Sequence, residues 1–190
     1  MFVASTVLFV WAHSDFDPVE VTVEEASLER LDLTAPAGHG TTPASLAYNL
    51  SLAVAVRNPN LLIRVWRTAP LDAELRLAGR PFAAVRLAGA EERDQLIRPM
   101  RSAVYRAAAA SESAPVALRG DEQAEVAWES AFGLFWLEVV VSGEVHYQLH
   151  PRRRSFTVRC PLRLPLSTAP AAVAFARFEG TLPPQACMYV

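Results

Sequence analysis

Apolar and polar residues alternate with a period of two along most of the chain, which predicts half-buried strands rather than helices. Val19, Val21 and Val23 alternate with Glu20, Thr22 and Glu24. A longer run, Leu46, Tyr48, Leu50, Leu52, Val54 and Val56, alternates with Ala47, Asn49, Ser51, Ala53, Ala55 and Arg57 and stops at Asn58-Pro59-Asn60. That tripeptide predicts a turn, because Pro withholds a ladder donor and Asn tolerates turn geometry. Leu71, Ala73, Leu75 and Leu77 form a third run; Ala78-Gly79-Arg80-Pro81 turns the chain, and Phe82, Val85 and Leu87 mark the returning strand of a hairpin.

The late strands are the clearest. Phe135, Leu137, Val139, Val141, Val145, Tyr147 and Leu149 hold odd positions, with Gly143 keeping the phase. Phe156, Val158, Cys160, Leu162, Leu164 and Leu166 follow on the other side of His150-Pro151. One apolar and one polar face per strand is what an antiparallel sandwich needs, and a one-residue slip would put every apolar side chain in water. Asp121–Ser130 is the best helix candidate, with Asp121 as cap, Glu122 in the first turn, and Val126 and Trp128 packing inward. Glu91–Met100 has room for a helical turn or two, and Thr34–Pro43 and Ala107–Pro115 read as loops. The fold class expected is all-β: an antiparallel sandwich of seven or eight strands, immunoglobulin-like or fibronectin III-like, with at most one short helix.

Ahead of that sandwich, Met1–Ala12 is apolar and uncharged, shorter than the roughly 20 residues that span a bilayer. Trp11, followed by His13, Ser14 and Asp15, resembles the water-facing end of a membrane segment. Residues 1–14 are therefore read as a partial transmembrane or anchor segment, with a buried first strand as the rival, and 15–190 as the folded domain. Size changes little in this picture: 190 residues suffice for one domain with a sizeable core. A net charge of -2 supplies no field for nucleic acid.

Candidate chemistry is sparse. His146 and His150 on one continuous strand would stand about 13 Å apart, too far for one ion. Nucleophile elbows and phosphate-binding glycine loops are missing from the sequence. No catalytic residue, metal or cofactor is assigned. Arg152-Arg153-Arg154 is the basic cluster, a candidate contact for phosphate head groups or an acidic partner at a hairpin tip. Asn49-Leu50-Ser51 is an N-glycosylation sequon on the polar face of its strand, usable only in a secreted or lumenal chain. Cys160 and Cys187 are two free thiols in a reducing compartment and a disulfide candidate in an oxidising one.

In order, these residues resemble the plant harpin-induced, non-race-specific disease-resistance-like family, whose outer domain is the group-two late embryogenesis abundant (water-stress) domain. The resemblance runs from about Val19 to Leu166. It is carried by Val21–Leu28, by Leu46–Leu52 leading into Val56-Arg57-Asn58-Pro59-Asn60, by Val139–Val145 and by Phe156–Leu162. It implies a single-pass plasma-membrane protein with its sandwich facing the apoplast, acting in defence and stress responses without catalysis. It also implies membrane lipid around the N-terminal segment and a protein or cell-wall partner. On that placement a Cys160–Cys187 bridge would tie the C-terminal tail to a core strand. A second function class, a soluble intracellular stress protectant of the same domain family, fits a chain in which Met1–Ala12 is a core strand.

Overall fold

The structure, a computed structural model, describes residues 16–34, 44–91, 95–167 and 185–190. The expected anchor at 1–14, most of the Thr34–Pro43 loop and the stretch Ala171–Phe178 lie outside the described residues.

Two antiparallel sheets form the sandwich. The first has the order β10 (Gln185–Ala186), β1 (Glu20–Thr34), β2 (Ala44–Arg57), β7 (Ser102–Val116). The second is built on the long β8 (Leu134–Tyr147). One edge of β8 pairs with β9 (Arg153–Pro165), which carries β11 (Met188–Tyr189). Its other edge is shared between two partners. Near Tyr147 it pairs with β3 (Val65–Arg67), which carries β6 (Gln95–Ile97). From Leu137 to Ser142 it pairs with β4 (Leu71–Leu77), which carries β5 (Arg80–Ala88).

The period-two runs supply the core. Val21, Val23, Leu50, Val54, Leu71, Leu75, Val139, Val141, Val158 and Cys160 are all buried between the sheets. Burial of this apolar surface is the main favourable term, at about 25 cal/mol per Å² removed from water. Gly143 of β8 lies between Leu71 of β4 and Phe156 of β9, the strands on either side of it. A Cβ there would lie 2.8 Å from Leu71 Cδ1 and 2.9 Å from Phe156 Cζ, so a larger residue would displace those two side chains.

Several expectations are corrected. Ala107–Pro115 is not a loop but most of β7, paired residue by residue with β2 from Ala44 to Arg57. Ala and Ser have weak strand preference, and the ladder offered by β2 overrides it; Pro115 is tolerated because β7 lies at a sheet edge. Glu91–Met100 contributes β6 rather than a helical turn. The helix α1 runs Gly120–Phe132 and is capped by Arg119, not Asp121, with Glu122 Oε2 accepting the Arg119 backbone N–H at 2.8 Å. Val126 is buried, whereas Trp128 faces solvent. Two residues apart on a helix, they cannot share a face. Leu149 is exposed, because β8 ends at Tyr147 and Leu149 turns the chain with φ 68°.

The last residues close the sandwich. β10 lies on β1, Cys187 N–H donates to Val21 O, and β11 lies on β9. The segment thus passes from one sheet to the other, and a disulfide joins Cys187 to Cys160 in β9. On its peptide group, Val19 meets two tyrosines: Tyr147 Oη accepts its N–H, and Tyr189 Oη donates to its carbonyl.

Candidate functional site

At one end of the sandwich, the expected turn Asn58-Pro59-Asn60 is a buried polar knot. Asn58 Nδ2 donates to the carbonyls of Ile63 (2.7 Å) and Ile97 (3.1 Å). Its Oδ1 accepts the backbone N–H and the side-chain Nδ2 of Asn60, at 3.1 and 3.0 Å. Asn60 also exchanges hydrogen bonds with the backbone of Asp17, and its carbonyl accepts Met100 N–H. Two amides, each donor and acceptor at once, thereby fasten the start of the domain, β2, β3 and β6 together. The side chains of Asn58 and Asn60 are thereby taken up in holding the fold together.

Around the knot the surface is apolar and basic. Phe16, Asp17, Pro59, Asn60 and Leu61–Ile63 line a shallow depression of about 290 Å³. Leu61 and Leu62 are 75% and 74% exposed. Phe16 stacks on Tyr147 and meets the edge of His150, and Gln148 N–H donates to Arg64 O, so the β8–β9 turn adjoins this depression. That turn carries exposed Leu149 and the exposed Arg152, Arg153 and Arg154. Arg153 reaches Glu144 at 3.6 Å; Arg152 and Arg154 have no ion pair among the described residues. The turn also changes the histidine geometry expected for a continuous strand. His146 Nε2 lies 2.8 Å from the His150 carbonyl oxygen, not from its ring. Among the described residues, no group of three His, Cys, Asp or Glu side chains is placed to hold a metal.

Eleven residues back along β8, about 36 Å at 3.3 Å per residue, lies a different surface. Trp128 and Phe132 on α1 are both exposed, with ring centroids 4.5 Å apart. Trp136 on β8 is half exposed, and the Arg163 guanidinium lies 3.6 Å over its ring. The buried Glu129 carboxylate of α1 accepts the backbone N–H of Trp136. Burial pushes its pKa above the ordinary carboxylate value, Glu125 adding to the rise and the Trp136 N–H opposing it. On α1 the other buried acid, Glu122, is shifted down, chiefly by the Arg119 backbone N–H and also by Arg80 and Arg119. Sequence reading missed this aromatic cluster. The signal was Trp128 and Phe132 at i, i+4 on a helix whose buried stripe is set by Val126.

The remaining nominated residues lie apart. Asn49 is half-buried on the outer face of the first sheet, mid-strand in β2, with Nδ2 donating to Glu29 Oε2 at 2.6 Å. The disulfide joins Cys160, buried in β9, to Cys187 between the edge strands β10 and β11. Among the described residues no helix is long and apolar enough to cross a membrane.

Fold and disulfide together define an all-β sandwich closed by a covalent staple, which is compatible with an oxidising compartment. No protein-family model matches the chain, and no curated protein matches it. A crystal structure of a protein from Archaeoglobus fulgidus is similar over 74% of this chain and 96% of that one, at 10% identity and a TM-score of 0.32. Likeness at that level carries no functional argument.

Proposed function

We propose that this chain is a non-enzymatic interaction module, anchored in the plant plasma membrane through its N-terminal apolar segment, with the sandwich facing the apoplast. It acts in defence and stress responses by contact with a protein or cell-wall component. The observation that carries the reading is the Cys160–Cys187 disulfide, because such bonds persist outside the reducing cytosol. The buried polar side chains support a non-catalytic role. Asn58 and Asn60 hold the knot, Arg67 donates to the carbonyls of Ala69 and Gly89, and Glu122 pairs with Arg80. For the partner, the Trp128, Phe132 and Trp136 surface is the best suited, since exposed Trp and Arg dominate binding hot spots.

The test is topological. The full chain is expressed in plant protoplasts, membranes are washed with alkaline carbonate, and intact cells are treated with external protease. Retention after the wash, with cleavage of the domain from outside, is expected. Release by carbonate, or protection from the protease in intact cells, would end this reading.

A further inference from the structure

We infer that the end of the sandwich bearing the Asn58–Asn60 knot is a phospholipid-docking face, with arginines against headgroup phosphates and leucines dipping towards the acyl boundary. It deepens the anchored reading, and rests on it for the orientation of the domain. Three observations converge on this end.

The first is chain connectivity. The described domain begins at Phe16, packed on Tyr147 and His150, so the apolar sequence Met1–Ala12 joins the domain at this end. The second is exposed apolar surface on two separate loops. Leu61 and Leu62 rim the depression beside Phe16, and Leu149, 71% exposed, tips the adjoining β8–β9 turn. Side chains of this size on loop tips are poorly suited to water. The third is charge. Arg64, Arg152, Arg153 and Arg154 crowd the same end, and among the described residues only Arg153 of these has a carboxylate partner, Glu144. Guanidinium forks match phosphate geometry bidentately, and basic groups beside exposed apolar side chains are the composition of a surface-lying membrane contact. Asp17 is an acid at this end, and its backbone is held by Asn60.

A partner protein fits this end less well, because a chain anchored there brings the bilayer to it first. The arrangement leaves the aromatic cluster pointing away, about 36 Å along β8.

Hydrogen exchange on the full chain tests this, with the chain reconstituted in phosphatidylcholine/phosphatidylglycerol bilayers or in phosphate-free digalactosyldiacylglycerol bilayers. Amides of 60–64, 149, 150 and 152–154 are expected to exchange about ten-fold or more slowly on the phospholipid, as several cation–phosphate contacts of about 1 kcal/mol each imply. The difference should vanish in a variant carrying Arg152→Gln, Arg153→Gln and Arg154→Gln, and shrink in Leu61→Ser with Leu62→Ser. All of these residues are exposed, and unchanged exchange of 50–56 reports an intact fold. Equal rates in the two lipids, with the chain embedded in both, would overturn the docking face and leave the anchor standing. Slowing on phospholipid by a chain that does not embed in the galactolipid would keep the docking face and remove the anchor.

Discussion

Cys187, between the last two short strands, is bonded through sulfur to the fully buried Cys160 of β9, so one covalent link fixes a segment that pairs with both sheets. The bond closes a separation of 27 residues, which on loop-entropy grounds is worth roughly 3–4 kcal/mol. Cys187→Ala is expected to lower the urea-unfolding free energy by about that amount. An unchanged midpoint and slope would show that the staple does not restrain the unfolded chain.

Replacing Asn58 by Ala strips partners from the backbone and side chain of Asn60 and from two carbonyls. Each buried polar group left unpaired costs about 1–3 kcal/mol, so the loss should exceed about 3 kcal/mol. Asn49→Ala, in which only a bond to Glu29 disappears, should change stability by no more than about 1 kcal/mol. Equal effects at the two positions, by denaturant titration, would contradict the knot.

Val126, not Trp128, anchors α1 to the sandwich. Val126→Ala should cost about 1–3 kcal/mol, and Trp128→Ala less than about 0.5 kcal/mol. A thermal melt in which Trp128→Ala is the more damaging would reverse the assignment of the two helix faces.

Glu129 has a folded pKa above its unfolded one, so its contribution is present in acid, below the ordinary carboxylate value, and is lost as pH rises through the raised value. Glu129→Gln keeps an acceptor for the Trp136 backbone N–H without the buried charge. The variant should therefore melt higher than the parent at pH 7, and the gap should close on acidification. A gap that is independent of pH would exclude a buried charge as its cause.

Tyr189 is shifted in the same direction, chiefly by the same cause. Burial, with Tyr147 and Glu20 nearby, pushes its hydroxyl up to about 12. Its contribution is full below about pH 10, where free tyrosine titrates, and fades as pH climbs to about 12. Alkaline unfolding monitored at the phenolate absorbance should show this window, and Tyr189→Phe should flatten it.

Strands with an unbroken period of two were legible from the residues, as in Leu71–Leu77 and Phe156–Leu164, because alternation decides which face is buried. β1 was legible only to Glu24. Register shifts after Val23 and after Leu28 move the buried positions from odd to even and back, so Leu28 falls out of phase with Val19–Val23 and Leu31 returns to it. β7 was hidden by its alanines and serines, whose strand state depends on β2 rather than on their own preference. At one end of the molecule, the sequence showed Arg152–Arg154 and Asn58–Asn60 as separate features. Their adjacency depends on contacts such as Gln148 to Arg64 and Phe16 to His150, which no local pattern encodes. The interior Arg67, held by the Ala69 and Gly89 carbonyls, likewise breaks the expectation that an Arg in a strand faces water.

The most direct test of the central claim is the intact mass of the chain isolated from plant membranes after alkylation without reduction, beside an Asn49→Gln variant. The account predicts no alkylation until reductant is added, two alkyl groups afterwards, and a glycan that disappears in the variant. A chain of unmodified glycan-free mass carrying two alkyl groups before reduction would contradict an oxidising, apoplastic placement, and would fit an intracellular protectant instead.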